Sequence, residues 1–177
     1  MNFRKWDNAE NYAAQTGILT QALATEDHSL DELVRLMRAT KQGSVYLAGM
    51  RLDNDHCLGS GDIGWSLSVL PEDADKASVP GYHPGSTEVY VTFQGNLVME
   101  FLEDGRVQER RLGPFDTFTM PPGLCHHVRP DSKTAATSLI VKTNLHHKPG
   151  VIRCDNCTYY SDPTACPLHR SWRASAS

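Results

Sequence analysis

The sequence predicts a mainly β fold, an antiparallel β-barrel of jelly-roll type, preceded by helices and followed by a zinc-like cysteine knuckle. Three observations predict this class. Short segments rich in β-branched and aromatic residues recur between residues 44 and 143, turn-forming residues separate them, and the helical spacing of apolar residues ends before residue 44. Evenly spaced short strands joined by hairpin turns are typical of antiparallel barrels and jelly rolls. We therefore expect a helical segment over 1–43, a barrel over 44–145 and a metal-binding tail over 146–177.

The helical segment contains a recognisable start and stop. Ser29 stands three residues before Glu32, which is the pattern of a capping box, and Gly43 is a natural helix terminator. An apolar stripe at helical spacing lies between them, and we expect it to pack against the sheet. Its residues are Leu30, Leu33, Val34 and Met37.

The barrel segment contains short runs that favour β structure, separated by turn signals. Hairpin turns are predicted at residues 94–96, 103–105 and 113–114, each of which contains a glycine. The predicted strands are 44–52, 63–70, 88–93, 97–102, 107–112, 117–120 and 136–143.

The composition is that of an ordinary globular protein, with 40% hydrophobic and 21% charged residues and a formal net charge of -4. Lys and Arg are scattered along the chain, which argues against nucleic acid or an anionic membrane as a partner. The polar N-terminus lacks the apolar region of a secretory signal, and no stretch reaches the length of a membrane span. We therefore expect a cytoplasmic protein whose five cysteines are free thiols or metal ligands rather than disulfides.

Two short motifs place metal-binding side chains on the barrel. In the first, His83 precedes Glu88 across a Pro-Gly turn, and in the second, His126 follows another Pro-Gly turn at 121–123. The two turns would direct these side chains into one barrel mouth. Two His and one carboxylate can hold a divalent metal and leave about half of an octahedral shell open. This ligand set suits Fe, Mn, Ni or Zn, and we predict Fe(II) with Zn as the alternative.

These motifs resemble the two signature motifs of the cupin superfamily. Residues 83–95, in the pattern His-x4-Glu-x6-Gly, match the later part of the first motif, and residues 121–126, in the pattern Pro-x-Gly-x-x-His, match the second. Gly81 stands where many cupins carry a further His. The resemblance covers roughly residues 44 to 143 and implies a metal-binding barrel. Because cupins often dimerise through barrel faces, it also implies a homodimer.

Strand alternation predicts the neighbours of these ligands. If Glu88 faces the barrel interior, Tyr90 shares its face and is a candidate substrate-binding residue, with ordinary core packing as the alternative. If His126 faces inward, Cys125 and His127 face outward, as structural or surface residues.

The tail carries a second cluster of ligand types. Cys154 and Cys157 form a Cys-x2-Cys knuckle, and Cys166 and His169 follow it. Four such ligands at paired spacings predict a tetrahedral structural zinc site. The alternatives are free thiols, a disulfide in an exported protein, or a ligand from 146–147 in place of His169.

A small single barrel with a His, Glu, His site and a cysteine-rich tail is similar to the bacterial 3-hydroxyanthranilate 3,4-dioxygenases, whose Tyr-His pair resembles Tyr82-His83. This resemblance implies a non-haem Fe(II) dioxygenase acting on a small chelating metabolite of the catechol or aminophenol kind. Two alternatives stay open. One is a redox-neutral zinc cupin, an isomerase, lyase or N–N bond-forming enzyme on amino-acid-derived substrates. The other is a non-enzymatic small-molecule-binding protein, because fold alone does not determine function.

Overall fold

The computed structural model describes residues 35, 44–48, 63–70, 79–131, 135–144, 147 and 149–175. The helix predicted after Ser29 therefore lies outside the described residues, apart from the helical position Arg35. The proposed division at 43 and at 145 stays a prediction. None of the helices in the described ranges is long and apolar enough to cross a membrane.

The described chain is mainly antiparallel β structure, as predicted, with an α-helix near its end. Its strands are β1 (Ser44–Ala48), β2 (Ile63–Leu70), β3 (Gly81–Tyr82), β4 (Glu88–Gln94), β5 (Leu97–Glu103), β6 (Arg106–Leu112), β7 (Thr117–Met120), β8 (His126–Pro130), β9 (Ala136–Thr143) and β10 (Ile152–Arg153). Two short 3-10 turns, Cys154–Asn156 and Pro163–Ala165, lead to the helix α1 (Pro167–Ser175).

The strands form two five-stranded sheets. The first sheet has the order β1-β2-β9-β4-β7, and the second has the order β10-β3-β8-β5-β6. The main hydrophobic core joins them, because it combines Tyr90 and Ile140 of the first sheet with Met99 and Val128 of the second. Two antiparallel sheets that share one core are the arrangement of a jelly roll. The predicted antiparallel jelly roll is confirmed, whereas the N-terminal helices and the zinc-like knuckle stay predictions.

The hairpin between β5 and β6 shows how sequence sets this topology. Asp104 and Gly105 form its two-residue loop, and both have positive φ, 50° and 72°. A tight hairpin needs this conformation, which Asp tolerates and Gly adopts freely. Gly95 closes the preceding hairpin with φ 69°, and a Cβ at this position would lie 2.4 Å from the carbonyl oxygen of Ala135. Only glycine fits there without displacing backbone.

The tail packs on the outer face of the second sheet. Helix α1 contacts β5, β6 and β8, and Leu168 of this helix is fully buried in a cluster with Tyr82 and Cys125. Strand β10 adds to the edge of the sheet beside β3, where Ile152 pairs with Tyr82. The tail therefore covers part of the outer face of the second sheet, whereas most residues of β6 stay exposed.

Candidate metal centre

Three predicted ligands meet at one end of the core. Nε2 of His83 lies 3.2 Å from Oε1 of Glu88, and Nε2 of His126 lies 3.4 Å from Oε2 of the same carboxylate. Among the described residues, these three are the one group of His, Cys, Asp or Glu whose ligand atoms all lie within 4.8 Å of one another. The proximity of these three side chains agrees with the site expected from the two sequence motifs.

Strand pairing brings the two motifs together. Gly81 of β3 pairs with His126 of β8, and His83 follows directly after β3. A backbone hydrogen bond from the amide of Gly123 to the carbonyl of His83, 2.9 Å, joins the two loops that carry the histidines. Glu88 begins β4 in the opposite sheet, so the centre lies where both sheets approach each other.

Backbone carbonyls orient both imidazole rings. Nδ1 of His126 lies 2.9 Å from the carbonyl oxygen of Leu124, and Nδ1 of His83 lies 2.5 Å from that of Gly150. A carbonyl oxygen only accepts hydrogen bonds, so each ring donates from Nδ1 in these contacts. Nε2 of each ring points at Glu88, and it is the nitrogen that would bind a metal in its deprotonated form. Ligating histidines in metalloproteins show this same arrangement.

The carboxylate of Glu88 is buried and ionised. Burial by itself would raise the pKa of Glu88, but hydrogen bonding to His126 and His83, together with their charge, holds that pKa well below its ordinary range. The 3.4 Å contact of Oε2 with His126 is long, and Oε2 has no hydrogen-bond partner of normal geometry. A buried carboxylate oxygen with unused lone pairs fits a metal ion. The observed donor set therefore matches the predicted two-His-one-carboxylate site.

The sequence reasoning missed Lys142 at this centre. Lys142 pairs with Glu88 across β9 and β4, and its Nζ lies 3.7 Å from Oε1 of Glu88 and 2.6 Å from Nδ1 of His83. An ammonium would donate to that nitrogen, so this contact and the contact of His83 with Gly150 are alternatives. Burial lowers the pKa of Lys142, the charge of Arg153 lowers it further, and the charge of Glu88 opposes both.

The alternation of residues along β9 indicates that the side chain of Lys142 faces inward. Ala136, Ser138, Ile140 and Lys142 occupy every second position, and all are buried. A lysine in such an inward row is unusual, because buried ammonium groups occur where they are paired. Reading the inward row of β9 would have placed Lys142 inside the barrel, although not beside Glu88.

A small cavity of about 180 Å³ opens beside His126. Tyr90 lines it, as does Arg153, whose guanidinium donates to the carbonyl of Val79 at 3.0 Å. Tyr90 also belongs to the main core and is only 8% exposed. Tyr90 therefore shares the inward face of Glu88, as alternation predicts. Its position is compatible with substrate binding and with core packing, the two roles considered for it. The other lining residues are Ser68, Leu70, His127, Val128 and Ile140.

The four predicted tail ligands lie in the part of the chain that packs on the second sheet. Cys154 and Cys166 are buried, Cys157 is half-buried, and His169 is a buried residue of α1. None of the described cysteines forms a disulfide. Within the described residues, no three ligand atoms of this set lie within 4.8 Å of one another. The zinc site in the tail stays a prediction.

No family model matches the chain. Among curated proteins, it is similar to a germin-like protein 4-1 of Oryza sativa, with 28% identity over 111 residues, which cover 59% of this chain and 43% of that protein. The chain spans about half the length of the curated relatives it matches. The activity of those whole proteins is therefore not carried over to it.

Two solved structures align with part of the chain at low identity. An oxalate oxidase structure aligns with a TM-score of 0.46 and 19% identity, covering 76% of this chain and 73% of the other. A cupin-2 domain-containing protein of Shewanella frigidimarina aligns with a TM-score of 0.39 and 20% identity, covering 48% of this chain and 74% of the other. The similarity to 3-hydroxyanthranilate dioxygenases stays a prediction, because these comparisons do not bear on it.

Proposed function

Because the chain belongs to the cupin superfamily and brings two histidines and a glutamate together in its barrel, we propose that it is a metal-dependent enzyme, a non-haem Fe(II) dioxygenase acting on a small chelating metabolite. The observation that carries the proposal is the convergence of His83, Glu88 and His126, with both Nε2 atoms directed at the carboxylate and one buried carboxylate oxygen without a hydrogen-bond partner. Three protein ligands leave adjacent positions open, which suits a bidentate substrate and oxygen.

The chain's own residues would hold and orient the reacting partners. His83, His126 and Glu88 hold the ion, and the carbonyls of Leu124 and Gly150 fix the two rings. When bound, the ion would polarise a chelating substrate and bring it into reach of oxygen. The surrounding core excludes water, because Glu88 is only 6% exposed. Exclusion of water strengthens every electrostatic interaction at the centre.

The charges around the cavity favour a substrate with an acidic group. The centre contains one carboxylate, Glu88, whereas Lys142 and Arg153 both contribute positive charge, and a divalent ion would add to it. An anion that chelates the metal would neutralise this excess and contact the ammonium of Lys142. The small cavity restricts the ligand to a compact molecule. A catechol-like, aminophenol-like or carboxylate-bearing metabolite has these properties, and we expect it to contact Tyr90, which lines the cavity.

Metal content and oxygen uptake test the proposal together. The full chain, purified without oxygen, should contain iron in the barrel and should consume oxygen when a catechol or a 2-aminophenol is added. A His83→Ala, His126→Ala double variant should lose that iron and the oxygen uptake, whereas the exposed control Glu103→Gln should keep both. Zinc in the barrel, with turnover under nitrogen, would replace the oxygenase by redox-neutral metal chemistry. Ligand binding that survives chelation of the metal would point instead to a non-enzymatic binding protein.

Two wider expectations are also proposals. We expect the protein to act in the cytoplasm and to form a homodimer. Cell fractionation tests the first expectation. Light scattering of the purified full chain tests the second, and a monomeric mass would overturn it.

A further inference from the structure

The short strand β10 places a residue of the tail on the inner face of the barrel. Arg153 of this strand pairs with Gly81 of β3. Gly81 pairs in turn with the metal ligand His126 of β8. Residues that lie directly opposite one another on neighbouring strands present their side chains to the same face of the sheet. Because His126 faces the barrel interior, the side chain of Arg153 faces the interior as well.

The contacts of its chain neighbours fix the backbone of Arg153. Ile152 packs against the outer cluster that contains Tyr82, which is the face opposite to that of Arg153, as alternation requires. The amide of Cys154 donates to the carbonyl of Pro80 at 2.9 Å and continues the pairing of the tail with the segment before β3. Arg153 is therefore held at its place in the sheet from both sides.

Gly81 leaves the room that this arrangement needs. A Cβ at position 81 would lie 2.7 Å from the carbonyl oxygen of Ile152 and 3.2 Å from Cδ of Arg153. A side chain here would therefore displace the backbone of β10. Many cupins carry a further His at this position, where the present chain has only glycine. The lack of a fourth ligand and the presence of the arginine thus have one cause, the docking of β10.

The guanidinium of Arg153 retains donors for a ligand. Its side chain lines the cavity of about 180 Å³ beside His126, and its Nη1 donates to the carbonyl of Val79 at 3.0 Å. A guanidinium has five N–H donors, so this bond uses only one of them. The ion pairs between described residues do not include Arg153. An arginine in this situation can bind both oxygens of a carboxylate in two parallel hydrogen bonds.

Lys142 and Arg153 approach the site from different sheets. Lys142 belongs to β9 of the first sheet, and its Nζ lies 3.7 Å from Oε1 of Glu88, so it neighbours the metal ligands themselves. Arg153 belongs to β10 of the second sheet, two strands from His126, which is a backbone separation of about 10 Å. The two cations therefore suit two different acidic groups of one ligand, the first at the metal and the second away from it.

We propose that Arg153 is a specificity-determining residue of the barrel site, where it binds a carboxylate of the substrate that does not coordinate the metal. The substrate is then a compact molecule with chelating atoms at one end and a separate carboxylate at the other. This inference rests on the proposed metal centre, but it depends neither on which metal is bound nor on a reaction with oxygen. Arg153 lies outside both sequence motifs, so only the docking of the tail reveals it.

Calorimetric titration of the metal-loaded full chain under nitrogen tests this role. Pyridine-2-carboxylate chelates a metal and has no further acidic group, whereas its 2,4- and 2,5-dicarboxylate analogues add a carboxylate that cannot join the chelate. Wild type should bind at least one dicarboxylate about 10-fold more tightly than the monocarboxylate, the effect of a hydrogen bond to a charged group. Arg153→Met should abolish this preference and leave the metal content and the monocarboxylate affinity unchanged. Arg110→Met removes an equal charge at an exposed position of β6 and should keep the preference.

A second variant tests the placement of the arginine. Gly81→Ala should also weaken the preference, because the new Cβ would displace β10 and with it Arg153. An unchanged preference in Gly81→Ala would contradict the placement. Equal affinity of wild type for all three ligands, or an equal loss for all three in Arg153→Met, would overturn the role of Arg153.

Failure of the proposed function would look different. If the three ligands bind wild type no better than the His83→Ala, His126→Ala variant, the metal centre is wrong and the role of Arg153 is wrong with it. A dicarboxylate preference that depends on Arg153, in a protein that consumes no oxygen, would overturn the oxygenase chemistry and leave the role of Arg153 intact.

Discussion

The backbone carbonyl of Gly150 lies 2.5 Å from Nδ1 of His83, so a residue of the tail orients a ligand of the barrel. The two residues are separated by 67 positions in the chain. Because the carbonyl accepts from Nδ1, Nε2 faces Glu88, where a metal would bind. The barrel supplies the ligands of this centre, and the tail supplies part of their orientation.

Replacing Glu88 by Gln should remove the barrel metal and leave the fold intact. The amide keeps the shape of the side chain but loses the charge that a divalent ion requires. The fall in metal affinity should exceed the ~10–100-fold typical of lost orienting contacts. Equilibrium dialysis with Fe(II) measures this, and Glu103→Gln is the matched exposed control. Unchanged affinity in Glu88→Gln would exclude Glu88 as a ligand.

Replacing Lys142 by Met should weaken anionic chelators selectively. The buried ammonium lies beside both Glu88 and His83, so it is placed to contact the acidic group of a metal-bound ligand. We expect the affinity for pyridine-2-carboxylate to fall about 10-fold, which corresponds to about 1.4 kcal/mol. The affinity for the neutral chelator 2-pyridinemethanol should be unchanged, and this ligand serves as the control. An equal loss for both ligands would mean that Lys142 supports the metal rather than the anion.

Replacing Glu100 by Gln should destabilise the protein at neutral pH and much less in acid. Glu100 on the outer face of β5 accepts from Nδ1 of His127 at 3.0 Å, and this hydrogen bond, with the charge of Arg129, lowers the pKa of Glu100 against the opposing effect of burial. A carboxyl whose pKa is lower in the folded state stabilises the fold above its unfolded pKa, about 4.3. That contribution is lost as the pH falls through the folded pKa.

Urea unfolding between about pH 3 and pH 7 checks this linkage. The free energy of unfolding should differ between wild type and Glu100→Gln by about 1.5–3 kcal/mol at pH 7, the usual value for a hydrogen bond to a charged group. The difference should shrink as the pH falls below 4.3. A difference that does not depend on pH would show that the ionised carboxylate is not the stabilising form.

Replacing Gly95 by Ala should cost more stability than replacing Gly105 by Ala. Both glycines have positive φ, 69° and 72°, so both variants carry the conformational cost of about 1–2 kcal/mol. At Gly95 the new Cβ would also lie 2.4 Å from the carbonyl oxygen of Ala135, whereas at Gly105 nothing lies within 4 Å. The difference in stability between the two variants, measured by thermal unfolding, gives the contribution of the steric clash at Gly95. Equal losses would show that the β4–β5 loop relaxes without cost.

Strands that show a local sequence pattern were predicted with boundaries close to those in the structure. The predicted strands 63–70 and 136–143 coincide with β2 and β9, and the positive-φ turn at 104–105 is where its Asp-Gly pair predicted it. Strands β3 and β10, two residues each, were missed because two residues contain no periodicity to read. They form only because neighbouring strands offer them hydrogen-bond partners.

The sequence by itself determined which side chains could bind a metal and which way they face. The spacing of His83, Glu88 and His126 and the period-2 alternation of a strand are local properties, so they can be read from one chain. The tertiary structure decided which residues meet across strands. Lys142 reaches Glu88 through the β4–β9 register, and Arg153 reaches the barrel cavity through the docking of the tail. The physical reason is that strand register and tail packing depend on the total apolar area that whole sheet faces remove from water. A short segment of sequence does not determine that total area.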